Sequence, residues 1–333
     1  MKRIAKKIIK LNFQEINLLP KWTIRKMVFV AILIAISVSF VIVVVQIIPL
    51  AVIPSFKFSF IGLPIKITGF IFGPIIGLFV GLISDLLSIL FIPPAGYHPL
   101  YTLATALNGF IPGIFGLYFT QVLRTAFSSK YKIQRITQKI SILGIKYNAA
   151  KLNYDYKLAD KYAIKIIKLD NKKIYIKENE TFNALKNINL IVSVIVLCFV
   201  FGIVVTLVHL TPQNILDRSF ISNKKILLVL MSLGIVSMVL FIIFSRFKLK
   251  SKFFLTIAPI ISFSAVLELV NVPILSYADL LSIGGGDKNN IYIWVTQHIL
   301  LSPIKIWFNV FVVFFSYSIV YKLINKNEAL SYK

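Results

Sequence analysis

Residues 57–92 read KFSFIGLPIKITGFIFGPIIGLFVGLISDLLSILFI, from Lys57 to Ile92. From Pro64 onward the stretch is almost wholly apolar, with Lys66 and Asp85 its charged side chains. An α-helix needs about 20 apolar residues to cross roughly 30 Å of hydrocarbon. The 29 residues from Pro64 to Ile92 are therefore somewhat long for one crossing, and Gly73-Pro74 and Gly77 break them near the middle. Inside lipid the backbone must satisfy its own hydrogen bonds, so these runs are helices rather than isolated strands.

Working outward, further apolar runs appear at Met27–Ile48, Pro99–Phe119, Leu190–Leu210, Lys225–Phe244, Phe253–Val270 and Tyr292–Leu323. The basic start lacks a cleavage-type small-residue site, and the run after it is too long for a signal segment, so it reads as a mature helix. The chain has 333 residues, 58% of them hydrophobic, too apolar for a soluble protein of this length. The fold class expected is all-α, a polytopic membrane helix bundle.

Charge decides whether Pro64–Ile92 crosses once or twice. The 37 Lys and Arg against 12 Asp and Glu give a formal charge of +25. In a soluble chain that would suggest nucleic acid. Here Lys and Arg are expected to collect in cytoplasmic segments, and no nucleic-acid partner is expected. Eight basic residues precede Met27, and fifteen lie in 121–189 against five acidic ones. Two crossings put both basic blocks on one side. The reading is eight spans in the cell membrane with both termini cytoplasmic, which gathers 30 of the 37 basic residues on the inner side. Asp279 then falls in the last outer loop.

The expected organisation is a basic cytoplasmic N-terminus (1–26), a first block of four spans (27–120), a basic cytoplasmic insertion (121–189), an extra transmembrane hairpin (190–247), two last spans (253–323) and a cytoplasmic tail (324–333). Within the insertion, Ile164–Ile176 reads as a strand pair turned at Asp170-Asn171. No Gly-rich phosphate loop occurs, so no nucleotide site is expected. The single Cys198 excludes an internal disulfide and a Cys-based zinc site. His98, His209 and His298 show no i, i+4 pairing, so no metal is expected, and no cofactor either.

The pieces Lys57–Ser59, Phe72–Gly77 (FGPIIG) and Gly81–Leu87 (GLISDLL) resemble the substrate-binding S components of energy-coupling factor (ECF) vitamin importers, the folate-type members most closely. Tyr101–Gly113 (YTLATALNGFIPG) is similar to the family's following helix, and Ile299–Val320 with Pro303-Ile304-Lys305 to its last. The resemblance covers roughly 27–120 and 253–323. It implies a six-helix core, here carrying two inserted transmembrane helices. It also implies a subunit that captures a water-soluble vitamin without chemistry, so no enzyme, and that hands it on through a coupling membrane subunit driven by two ATPases.

Gly62, Gly69, Gly73, Gly77 and Gly81 recur at about four-residue spacing, which lets helices approach closely. Ala31 and Ala35 form a smooth A-x-x-x-A stripe, in the resembled family a contact with the coupling subunit. A small-molecule pocket needs apolar walls and a few convergent polar groups. The expected outer helix ends supply Lys57, Ser59, Tyr97, His98, Tyr101, Thr102, Asn271, Gln297 and His298 as candidates, and aromatic faces suit a flat heterocycle. Asp85 needs a partner inside the membrane, and Lys66 is the nearest cation in sequence. Asn108 suits a hydrogen bond between helices.

Folate is the first expectation for the vitamin and riboflavin the second. For a folate glutamate tail the outer face offers Lys57, Lys66 and the Gln297-His298 pair. The competing function is an ion-coupled secondary transporter acting alone, which should show several intramembrane carboxylates and an internal repeat. Asp85 and Glu268 are the deep carboxylates, and no repeat is evident.

Overall fold

The structure, a computed structural model, describes residues 24–47, 62–91, 97–127, 129–178, 183–217, 221–282 and 291–328. Helix α1 spans Ile24–Ile47, α2 Leu63–Phe72 and α3 Pro74–Phe91. Helix α4, Pro99–Gly116, runs on through a π-helical stretch, Leu117–Leu123, into Arg124–Phe127. Then come α5 (Ser129–Leu152), α6 (Tyr156–Glu178), α7 (Asn183–Leu210), α8 (Lys224–Lys248), α9 (Ser251–Ser282) and α10 (Ile291–Glu328). Among the described residues, six helices are long and apolar enough to cross a bilayer: α3, α4 with its extension, α7, α8, α9 and α10. Two apolar helices are shorter, over Met27–Val43 and Leu63–Phe72. The chain is a multi-pass, all-helical membrane protein.

The quoted stretch turns at Gly73. Its φ of 101° lies in the half of backbone space that favours glycine. Pro74 follows as the first residue of α3, where its missing N–H costs no helical bond. A Cβ built on Gly77 would lie 2.7 Å from the Gly69 Cα. Residues eight apart in one continuous helix are about 12 Å apart, so the chain has folded back. Gly69 and Gly77 stand four residues to either side of the turn. With 10 residues, α2 is about 15 Å long, roughly half the hydrocarbon thickness.

Helix α4 packs into this hairpin through glycine. A Cβ on Gly109 would be driven into the Gly77 carbonyl, and one on Gly69 into the Gly109 carbonyl. A Cβ on Gly81 would lie 2.5 Å from the Thr105 carbonyl oxygen and 2.7 Å from the Ala106 Cα of α4. In lipid no water is left to drive helices together, so such close backbone packing is a main source of association. Helix α1 closes the other side, laying Val30 and Leu33 against Ile65, Phe72, Ile76 and Val80.

Helix α9 is the central element. Phe254, Ile260, Ile261 and Phe263 on it are fully buried, packed with residues of α2, α4, α7, α8 and α10. The pair α7 and α8 is peripheral. It turns Val200, Val204, Met238 and Ile242 inward and leaves Ile195, Phe199, Leu233 and Leu240 exposed to lipid. Helices apolar on every face are what a membrane selects.

Three expectations are corrected. Ile164–Ile176 is no strand pair but part of helix α6. Ala159, Tyr162, Ala163, Ile166, Leu169, Lys173 and Ile176 are its less exposed positions, a 3–4 spacing that continues straight through Asp170-Asn171. A tight hairpin there would favour glycine as its second turn residue, and Asp170-Asn171 supplies none. Asp155 starts the helix instead, accepting the Leu158 N–H at 3.1 Å. Second, the run expected to end at Val270 continues to Ser282, so Asp279 is fully buried in α9 and not in an outer loop. Third, Asp85 and Lys66 are not paired with one another; their hydrogen bonds are described below.

Candidate functional site

Four helices, α2, α4, α9 and α10, line a small polar cavity of about 30 Å³, against about 300–1,000 Å³ for sites that bury a whole drug-sized ligand. Its charged wall is made by Lys66 of α2, Glu268 of α9 and Lys305 of α10. Lys305 Nζ lies 3.3 Å from Glu268 Oε1, and Ser302 Oγ donates to the same carboxylate oxygen. Lys66 Nζ donates to Asn309 Oδ1 at 3.2 Å. Ion pairs are costly to bury in a membrane and mark functional positions there. Two ammonium groups against one carboxylate leave this wall with a positive excess, suited to carbonyl or anionic oxygen.

Amides and an imidazole complete the lining. Asn271 Nδ2 donates to Asn108 Oδ1 at 3.0 Å, tying α9 to α4. His298 is fully buried, and its Nε2 lies 2.8 Å from Asp279 Oδ2. Tyr101 Oη donates to the other Asp279 oxygen at 2.7 Å. Both Asp279 oxygens are thus engaged, one from α4 and one from α10.

A second polar cluster sits where α3 meets the start of α4. Asp85 accepts from Thr102 Oγ1 at 2.6 Å and from Thr105 Oγ1 at 3.3 Å. Because Thr102 gives its proton to Asp85, Tyr97 Oη is the donor in its 2.7 Å contact with Thr102. His98 caps α4, its Nδ1 accepting the Leu100 N–H at 3.3 Å. The α2–α3 hairpin explains why Asp85 and Lys66 are not bonded. The position opposite Lys66 across Gly73 is Val80, so Asp85 stands five residues, about 7 Å, further along.

Of the sequence candidates, Asn271 and His298 line the cavity, and Tyr101 reaches it through Asp279. Thr102 and, through it, Tyr97 join Asp85 instead, and His98 caps α4. Gln297 is half-buried beside His298. Lys57 and Ser59 lie outside the described residues. Asn108 makes the interhelical bond expected of it and also lines the cavity. Lys66 belongs to the cavity as well. Ser264, Lys305 and Asn309 were not singled out for the pocket, nor was Glu268. A signal was present for two of them: Glu268 lies fifteen residues before the 283–290 connection and Lys305 fifteen after it. In an antiparallel helix pair such residues stand opposite one another.

Glu268 has a second exposure. It also lines an apolar groove of about 360 Å³ between the α7–α8 pair and α9–α10, so the Lys305–Glu268–Ser302 cluster separates a polar cavity from an apolar one.

Residues 21–146 match the family described as ECF-type riboflavin transporter, S component. The match takes in α1–α4 and most of α5 and ends before the helices that carry Glu268, His298 and Lys305. No curated protein and no solved structure matches the chain significantly. Over the matched residues the chain is thus similar to a membrane transporter subunit rather than to an enzyme. The type matched is the riboflavin one, and nothing in the comparison supports folate.

Proposed function

We propose that the chain is the S component of an ECF importer and that it captures riboflavin. One observation carries this. The segment that matches the riboflavin-type family supplies Lys66 and Asn108 to the wall of the polar cavity, so family likeness and pocket meet on the same residues. Ala31 and Ala35 support the assembly half of the proposal. Both are exposed, while Val30, Leu33, Ser37 and Val38 face inward. The pair does not pack within the described chain. The smooth stripe extends to exposed Ser39 one turn on, open to a coupling subunit, with two ATPases supplying energy.

The purified chain in detergent is expected to quench added riboflavin fluorescence saturably at one flavin per chain, and to release riboflavin on denaturation, read by mass spectrometry. Tight folate binding without riboflavin binding would overturn the vitamin assignment. A second reading, a self-sufficient ion-coupled transporter, has Asp279 in its favour as a third carboxylate within the spans beside Asp85 and Glu268. Vesicles holding only this chain separate the two. Binding without sustained uptake under a proton or sodium gradient is expected, and gradient-driven accumulation would replace the importer reading.

The sidedness we infer places α5–α6 and both termini in the cytoplasm, supported by the basic residues of 121–189. Gly144 on α5 has open space around it, so Gly144→Cys is tolerable, and Asp217 after α7 is exposed. In a Cys198→Ala background, Asp217→Cys is expected to react with a membrane-impermeant maleimide on intact cells and Gly144→Cys only after permeabilisation. The reverse pattern would invert the bundle.

A further inference from the structure

Helices α5 and α6 form a hairpin that has no part in the polar cavity or the apolar groove. Their main contacts are with each other, and the bundle is met chiefly at Arg124–Phe127, which leads into α5. Helix α5 carries six basic residues and no acidic one, and α6 carries seven basic against three acidic. The tendency of basic residues to collect on one side of the membrane accounts for their number but not for their arrangement. Lys157, Lys161, Lys165, Lys168 and Lys172 are all exposed, and their spacing of three and four sets them in one row along α6. Tyr156, Ile164, Ile167, Ile174 and Tyr175 are exposed as well. At about 100° per residue they form a second stripe beside the lysines. Asp160 lies in that stripe, between Lys157 and Lys161 in sequence. The less exposed Ala159, Tyr162, Ile166 and Leu169 occupy the other side of the helix, so neither row is spent on the hairpin's own packing.

From this arrangement we infer that α6 docks on the anionic lipid headgroups of the leaflet from which α4 emerges. A stripe of isoleucines and tyrosines is unfavourable against water. At a membrane surface the same side chains enter the headgroup and acyl boundary, and the lysines beside them extend to lipid phosphate. The basic excess of the hairpin selects anionic over zwitterionic headgroups. Continuity of the chain supplies nearness. The hairpin leaves the span α4 and returns to the span α7 at Asn183. Both of its ends therefore stand at one membrane surface, which holds the lipid at a high effective concentration. The inference does not depend on which vitamin the chain captures.

The test uses the full chain, with Cys198→Ala, in nanodiscs of phosphatidylcholine alone or mixed with phosphatidylglycerol. An environment-sensitive fluorophore is attached at Ile167→Cys, and in a control protein at Gln138→Cys, an exposed position on the side of α5 away from α6. In the anionic discs the Ile167 probe is expected to shift to the blue and to be quenched several-fold more strongly by spin-labelled lipid than in phosphatidylcholine. The Gln138 probe should report water in both. High salt should weaken the contrast by screening. Lys161→Glu, Lys165→Glu, Lys168→Glu and Lys172→Glu together should abolish it, with the helical circular dichroism of the chain unchanged. If that variant misfolds, the comparison of the two lipids with the lysines in place still decides. Equal signals at Ile167 in the two lipids overturn the inference, as does a contrast that survives the four reversals. Shielding of Ile167 that appears only when a coupling subunit or ATPases are added, in either lipid, overturns it in favour of a protein contact.

Discussion

Gly109→Ala should prevent the chain from accumulating as a monodisperse protein in detergent, although it adds a single methyl group. The methyl would be driven into the Gly77 carbonyl, with the Gly77 Cα 2.9 Å away. These are backbone atoms, so no rotamer change relieves the clash, and α4 must move off the α2–α3 hairpin. Overpacking of this kind costs about 1–3 kcal/mol and occasionally more, a large share of a typical stability of about 5–15 kcal/mol. The same movement opens the cavity, because Asn108 is the neighbouring residue and holds Asn271. Gly144→Ala is the control. A Cβ there meets nothing within 4 Å, and alanine is favoured over glycine in a helix by roughly 1 kcal/mol, so stability should be unchanged or slightly raised. Size-exclusion profiles and thermal melting of both variants check the expectation. A well-behaved Gly109→Ala protein melting with the wild type would mean that α3 and α4 are further apart than described.

The helical class and the hairpin at Gly73 were legible because lipid removes most alternatives. Long apolar runs must be helices, and a glycine-proline pair in the middle of one must break it. The periodic glycines were legible as close contacts, and Gly69, Gly77 and Gly81 make them. Charge was less direct. It suggested that Pro64–Ile92 crosses twice; the stretch is two helices, and apolar content alone could not show that α2 would be 10 residues long. The strand reading of Ile164–Ile176 failed because isoleucines at alternate positions fit two periods at once. The decisive information was the continuation of the 3–4 spacing beyond the supposed turn. The end of α9 was misplaced because Ser276, Tyr277 and Asp279 look like a membrane exit. Their polarity is absorbed instead: Ser276 bonds back to the Val272 carbonyl, and Asp279 is held by Tyr101 and His298.

The site was legible by residue type and not by partner. Polar groups in apolar runs could be recognised one at a time, and Asn271, His298 and Asn108 were. Nearness in sequence was a poor guide to pairing, as Lys66 and Asp85 show. Lys66 finds Asn309, 243 positions away, because α10 returns to α2 across the bundle. Symmetry about a connecting loop carries more information, since it is how antiparallel helices bring Glu268 to Lys305.

Ala31→Trp combined with Ala35→Trp should abolish riboflavin uptake by cells that supply the coupling subunit and ATPases, while leaving flavin affinity of the isolated chain within about twofold. Both alanines are exposed, and α1 reaches the rest of the bundle through its other face, Val30, Leu33 and Val41. New indoles there meet lipid in the isolated chain and displace nothing in the described core. The residues lining the polar cavity come from α2, α4, α9 and α10, so α1 has no direct part in the cavity wall. In the assembly the same surface must admit a partner helix at the close range that small residues permit. Two tryptophans hold that helix off, at an overpacking cost of about 1–3 kcal/mol or more. Binding and transport are thereby separated, and less coupling subunit should copurify with the variant. Loss of flavin binding would mean that the stripe supports the pocket after all. Unimpaired uptake would mean that Ala31, Ala35 and Ser39 face lipid in the working transporter, and the coupling contact would then have to lie on another surface.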